Sequence, residues 1–97
     1  MNAYKSEFPH YDDTLTLPAG WVDTSWHNDV CPSFEKVIGD MRYRIWCDFK
    51  DPELREVGGR RFNVAFYDSN EFEELQDIKG FDTLEEALSF FNQEVAQ

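Results

Sequence analysis

Apolar and polar positions alternate most regularly between Met41 and Phe49, where Met41, Tyr43, Ile45, Cys47 and Phe49 are interleaved with Arg42, Arg44 and Asp48. A period of two predicts a half-buried β-strand. Just before it, Gly39-Asp40 lies between Ile38 and Met41. Glycine at the first central position suits a two-residue type II′ turn. A helix over Ser33–Ile38 is the competing reading; with the strand, the pairing register follows from that turn. Ile38 faces Met41, Lys36 faces Tyr43, Phe34 faces Ile45 and Pro32 faces Cys47, all on the core side. The other side pairs Glu35 with Arg44 and Ser33 with Trp46. A cross-strand pair of opposite charge contributes about 0.2–1 kcal/mol and helps to fix the register.

Arg61–Tyr67 predicts a further strand, with Phe62, Val64 and Phe66 on one face and Asn63 and Tyr67 on the other. It is expected beside Met41–Phe49, antiparallel, after a polar connection over Lys50–Gly59. Thr14–Leu17 alternates as well and stops at Pro18 and Gly20, which predicts a short edge strand. Met1–Asp13 shows no sustained period and is expected to be loop or loosely held. Trp21–Asp29 is irregular, with Trp21 and Trp26 as buried anchors of a loop capped by side-chain hydrogen bonds. Asp68-Ser69-Asn70 reads as a turn. Phe72, Leu75 and Ile78 recur every three residues, which suits a helix turn and a bulged strand equally. A short strand is expected over Glu71–Ile78, because a reversal after Asp68 would continue the sheet.

The C-terminal pattern is helical. Leu84, Ala87, Leu88, Phe91 and Val95 follow one stripe of i, i+3, i+4 spacing. Thr83 with Glu86 forms a capping-box pattern at its start. Glu85 and Glu86 sit off the stripe, in the turn where the helix dipole favours acids. The elements add up to an α+β domain spanning 1–97: a three- or four-stranded antiparallel sheet with the helix packed on one face. Leu84, Leu88 and Phe91 are expected against Phe62, Val64 and Ile45.

Composition sharpens this picture. Leu, Ile, Val and Phe make 24 of the 97 residues, enough for one core, and nine Phe, four Tyr and three Trp make that core aromatic. No apolar run of about 18 residues exists, so no membrane span is expected. The N-terminus has no basic flank followed by an apolar stretch, so no signal peptide is expected either, and a cytoplasmic setting follows.

Charge excludes one function class. The net charge is −11, and only Arg42 with Arg44 and Arg60 with Arg61 form basic pairs. Direct binding of DNA, RNA or anionic lipid needs clustered Lys and Arg. The acids are concentrated: Asp68, Glu71, Glu73, Glu74, Asp77, Asp82, Glu85, Glu86 and Glu94 stand against Lys79 alone, so residues 67–97 carry −8. Such asymmetry predicts one strongly negative face, suited to a basic partner or simply to solubility.

The residues that bear other chemistry are few. His10 and His27 are the only histidines, and Cys31 and Cys47 the only cysteines. Their spacing does not match the close ligand pairs of a structural zinc site. The register sets Cys31 across from Asp48, on the opposite face from Cys47, so two reduced buried thiols are expected and not a disulfide. Cys31 with His27, or Ser25 with His27 and Asp29, lie too close in sequence for a converging catalytic set. Asp48, Asp51 and Glu53 read as a solvated acidic turn, and Gly58-Gly59 lacks the Lys-Ser and helix start of a phosphate loop. No enzyme activity and no cofactor or metal is expected.

Recognition through charge remains. Carboxylates two apart on a strand lie about 6.6 Å from each other, and those four apart on a helix about 6 Å. Phosphates along one DNA strand are spaced on the same order, so a fixed acidic row can present a basic groove with the charge pattern of DNA. In size, acidity, aromatic core and negative C-terminal third, the chain resembles phage-encoded DNA mimics, and among them the small anti-CRISPR proteins. That resemblance implies an inhibitor that blocks a CRISPR surveillance complex before it binds target DNA. The segment Val22-Asp23-Thr24-Ser25-Trp26 to Cys31-Pro32-Ser33-Phe34 is similar to small proteins of mobile elements. An acidic interaction module of immunity or antitoxin type, binding one basic protein without imitating DNA, is the alternative.

Overall fold

The computed structural model describes residues 3–55, 60–68 and 79–96. Its centre is the hairpin the turn chemistry predicts. Strand β2 (Ser33–Ile38) and strand β3 (Met41–Cys47) pair antiparallel, with Ile38 opposite Met41, Lys36 opposite Tyr43, Phe34 opposite Ile45, Glu35 opposite Arg44 and Ser33 opposite Trp46. The Cys47 amide continues the ladder to the Pro32 carbonyl at 2.8 Å. Gly39 sits at φ 59°, the sign that both primed turns require of their first central residue and that glycine adopts without strain. Glu35 is ion-paired with Arg44 on the face away from the core, and Arg42 approaches the same carboxylate at 3.8 Å.

Strand β4 (Phe62–Asp68) lies antiparallel beside β3, with Phe62 opposite Cys47, Val64 opposite Ile45 and Phe66 opposite Tyr43. Two short strands complete the sheet. β1 (Val22–Asp23) pairs with Glu35 and Phe34 of β2, and β5 (Lys79–Phe81) pairs with Phe62–Val64 of β4. The order is β1-β2-β3-β4-β5, so five strands form a simple meander, one or two more than the sequence pattern indicates. Both additional strands are too short to show a period of their own. At Gly80 a Cβ would meet the Arg60 side chain at 2.7 Å and Asn63 Oδ1 at 3.0 Å, so the strand approaches this closely only because no side chain is there. The expected strand over Glu71–Ile78 and the turn at 69–70 lie outside the described residues.

Helix α2 (Leu84–Ala96) covers the face that carries Phe34, Tyr43, Ile45, Phe62, Val64 and Phe66. Ala87 and Phe91 are fully turned to the sheet, and Leu84 and Leu88 pack at its border, as the stripe predicts. Phe91 meets Tyr43 edge-on, with centroids 5.0 Å apart. Phe90, outside the expected stripe, stacks parallel to Phe66 at 5.8 Å and leans on Phe81 at 5.3 Å. Aromatic pairs of this kind contribute about 0.5–1.5 kcal/mol beyond their buried area. Thr83 caps the helix: its hydroxyl donates to Glu86 Oε1 at 3.0 Å and accepts from the Glu86 amide at 3.2 Å.

The N-terminal third corrects the sequence reading in three places. Within the stretch Met1–Asp13 expected to be loosely held, the described residues 3–13 are not: Ala3–Glu7 forms helix α1, and Tyr4 is 1% exposed in the core. Tyr4, Phe8 and Tyr11 have the i, i+4, i+7 spacing of a helix face, and the amides of Phe8 and Tyr11 continue that winding onto the Tyr4 and Phe8 carbonyls. Thr14–Leu17 is not a strand of the sheet, although it is extended in pattern, with Leu15 buried and Thr14 and Thr16 exposed. The edge it was expected to occupy belongs to β1, and its own Leu15 amide is bonded to the Tyr4 hydroxyl at 2.9 Å. Trp26 is not a buried anchor. It is 51% exposed and leans on His27, 4.2 Å between centroids, because the chain has already left β1 at Asp23. Trp21 does anchor, against Phe91.

The loop between β1 and β2 is held by side-chain bonds, as expected. Asp23 Oδ1 accepts from the Ser25 amide at 3.0 Å, and the Thr24 and Ser33 hydroxyls share a bond of 2.9 Å. Among the described residues no helix is long and apolar enough to cross a membrane.

Candidate functional site

Most carboxylates in the first two-thirds of the chain are engaged in holding the fold. Asp12 accepts the backbone amides of Lys50 and Asp51, both at 2.8 Å. Burial alone would raise the Asp12 carboxyl, but these two amides hold it below its ordinary range. Asp13 is ion-paired with Arg61 at 2.8 Å, and that guanidinium, with the Thr14 amide, lowers its pKa. Asp23 accepts from the Tyr4 amide at 2.9 Å, and Glu7 from both the ring and the amide of His27. Tyr11 completes the latch. Its hydroxyl lies 3.0 Å from the carbonyls of Cys47 and Asp48 and accepts from Arg61.

The C-terminal acids are placed differently. Asp82 is exposed but ion-paired with Arg60 at 2.9 Å. Glu86 is exposed and bonded to its cap. Glu85 is exposed on the first turn of α2 and has no hydrogen-bond or ion-pair partner among the described residues. Glu94 is half-buried and nine residues further on, which at 100° per residue puts it half a turn round the helix from Glu85. Asp68 ends β4, whose other end, Phe62, pairs with Phe81 next to Asp82. The backbones of Asp68 and Asp82 are thus separated by the length of the strand, roughly 20 Å. Glu71, Glu73, Glu74 and Asp77 lie outside the described residues.

Three carboxylates line one groove, and one of them is absent from the acidic run. Asp13, Asp82 and Glu85 line this groove of about 430 Å³ between the segment Asp13–Thr16 and the first turn of α2. Its apolar lining comes from Leu15, Phe62, Leu84 and Leu88, and Arg61 lines it too, ion-paired with Asp13. Asp13 stands in an aperiodic stretch. The signal that could have found it is the helical spacing of Tyr4, Phe8 and Tyr11, which carries the chain from α1 to this wall.

The catalytic arrangements weighed from the sequence are not assembled. His27 Nδ1 lies 3.0 Å from Glu7 Oε1, while the Ser25 hydroxyl is bonded to Ser33. Cys31 and Cys47 are free thiols, both buried, and burial pushes both pKa values up and away from the reactive thiolate. Among the described residues no three His, Cys, Asp or Glu side chains group as a metal site. Compared with protein-family models, curated proteins and solved structures, the chain matches none.

Proposed function

We propose that this protein is a small acidic inhibitor that occupies the nucleic-acid-binding groove of a basic partner in place of DNA, the partner being a bacterial CRISPR surveillance complex in the host cytoplasm. The observation that carries the reading is the charge asymmetry, −8 over residues 67–97. Two features of the fold support it. Glu85 is exposed and uncommitted, and the helix that presents it is held by a cap at one end and aromatic packing behind. A helix so held keeps its backbone in place when a Lys or Arg approaches, so the ordering cost of binding is confined to the side chains.

The test is competition. Fluorescence anisotropy of labelled target DNA on the surveillance complex, with this protein titrated in at several salt concentrations, should show displacement. Its salt dependence should be shallower than that of DNA, because a folded protein condenses fewer counterions than the about 0.9 per phosphate that DNA releases. A stable ternary complex overturns mimicry.

A specific observation favours the alternative of an interaction module that binds one basic protein without imitating DNA. Asp82 is engaged by Arg60, and the backbones of Asp68 and Asp82 stand at opposite ends of β4, a spacing that supports separate contacts over one phosphate-like row. DNA would then fail to displace the protein from its partner.

A further inference from the structure

The segment Thr14–Leu17 has the alternation of a strand and belongs to none. In an extended chain the N–H and C=O of one residue point to the same edge, and those of the next residue to the other edge. Leu15 fixes which edge is which. Its amide donates to the Tyr4 hydroxyl at 2.9 Å, and the same hydroxyl donates to its carbonyl at 3.5 Å, so the Leu15 edge faces Tyr4 and is closed. The Thr14 and Thr16 groups therefore lie on the opposite edge, and both residues line a groove shared with the first turn of α2. The Thr14 amide is taken by Asp13 Oδ1 at 2.8 Å. The Thr14 carbonyl and both backbone groups of Thr16 have no hydrogen-bond partner among the described residues.

The apolar lining of that groove is Leu15, Phe62, Leu84 and Leu88, and its acids are Asp13, Asp82 and Glu85. Two of these acids are balanced by Arg61 and Arg60, and Glu85 is left over. A free strand edge, an apolar floor and one surplus carboxylate describe a single kind of occupant.

We propose that an extended segment of the basic partner adds as a strand to the Thr14–Thr16 edge, seating an apolar side chain between Leu15 and Leu84 and a Lys or Arg against Glu85. Strand addition draws affinity from main-chain hydrogen bonds and specificity from alternate side chains. The proposal rests on a basic partner being bound near Glu85, and it does not require DNA mimicry.

The full-length protein, used as bait against displayed random ten-residue peptides, tests it. Selected peptides should alternate apolar residues with Lys or Arg, and their synthetic forms should shift the amide resonances of Thr16 and Glu85. N-methylation of alternate peptide amides in one register should abolish binding, and in the other register leave it intact. Thr16→Pro, which removes one donor at an exposed position, should weaken binding about tenfold, the loss of one hydrogen bond. Because it tests the edge from the peptide side, the N-methyl series decides the matter even where Thr16→Pro perturbs the segment. No enrichment, enriched peptides without alternation, or indifference to N-methylation in both registers overturns the proposal. Loss of the groove with retained DNA competition leaves the inhibitor reading standing, and peptide binding without DNA competition does the reverse.

Discussion

The ring of Trp21 stands edge-on to that of Phe91, with 4.8 Å between centroids and 65° between planes. The contact joins the chain just before β1 to the inner side of α2, and Tyr43 meets the same Phe91 ring edge-on. Phe91→Ala empties a site that two rings depend on and should lower stability by about 3–5 kcal/mol, as for other buried aromatics. Urea unfolding followed by tryptophan fluorescence measures it. A loss below about 1 kcal/mol would mean that the helix is not docked there.

Tyr11 links the N-terminal segment to the end of β3 through one hydroxyl. Tyr11→Phe leaves the carbonyls of Cys47 and Asp48 without that donor and should cost about 1–2 kcal/mol. Thermal unfolding at neutral pH checks the cost.

Stability should fall at high pH. Burial raises the pKa of Cys31, Cys47 and Tyr11 above the ordinary 9.0 for the thiols and 10.0 for the phenol. Above those values the unfolded chain loses protons that the folded chain retains, so the stabilisation is complete below about pH 9 and is lost as pH rises. Each group adds a slope of up to about 1.4 kcal/mol per pH unit. Urea midpoints from pH 8 to 11 should decline, and Tyr11→Phe should flatten the decline above pH 10. The acid side has the opposite sign. Asp12 and Asp13 lie below the ordinary 3.8 in the fold, so their contribution is present above pH 4 and is lost on acidification.

Thr83→Ala removes the cap that the Glu86 amide uses. The expected cost is about 1 kcal/mol, read as a drop in melting temperature with no change in the circular dichroism of the folded state.

Glu85→Lys should change stability by less than about 1 kcal/mol, since the position is exposed and only the helix dipole opposes the new charge. Binding to a basic partner should weaken sharply. A folded Glu85→Lys variant with unchanged binding removes this face from the functional account.

The hairpin and the last helix were legible in the sequence because local chemistry specifies them. Gly39-Asp40 sets the turn, Glu35 and Arg44 confirm its register, and Thr83 with Glu86 marks the helix start. The missed features depend on distant partners. Val22–Asp23 becomes a strand only because β2 offers an edge, and Tyr4 enters the core only because Phe34 and Leu15 surround it. Thr14–Leu17 carries the pattern of a strand, but no alternation can reveal that a tyrosine hydroxyl closes one of its edges. The candidate site was half visible. Glu85 and Asp82 belong to the acidic run, whereas Asp13 reaches the groove through contacts 48 residues away in sequence.

The order of the sheet has a kinetic consequence. In a meander each strand pairs with its sequence neighbour, so every loop that must close is local, which favours rapid assembly of the sheet from the β2-β3 turn outward. The bonds of Tyr11 to Cys47, Asp48 and Arg61 span 36 to 50 residues and have no counterpart in that local series. Residues 3–17 should therefore close over the finished sheet as the last step of folding, and in the native protein they should be the first to open and exchange their amide hydrogens.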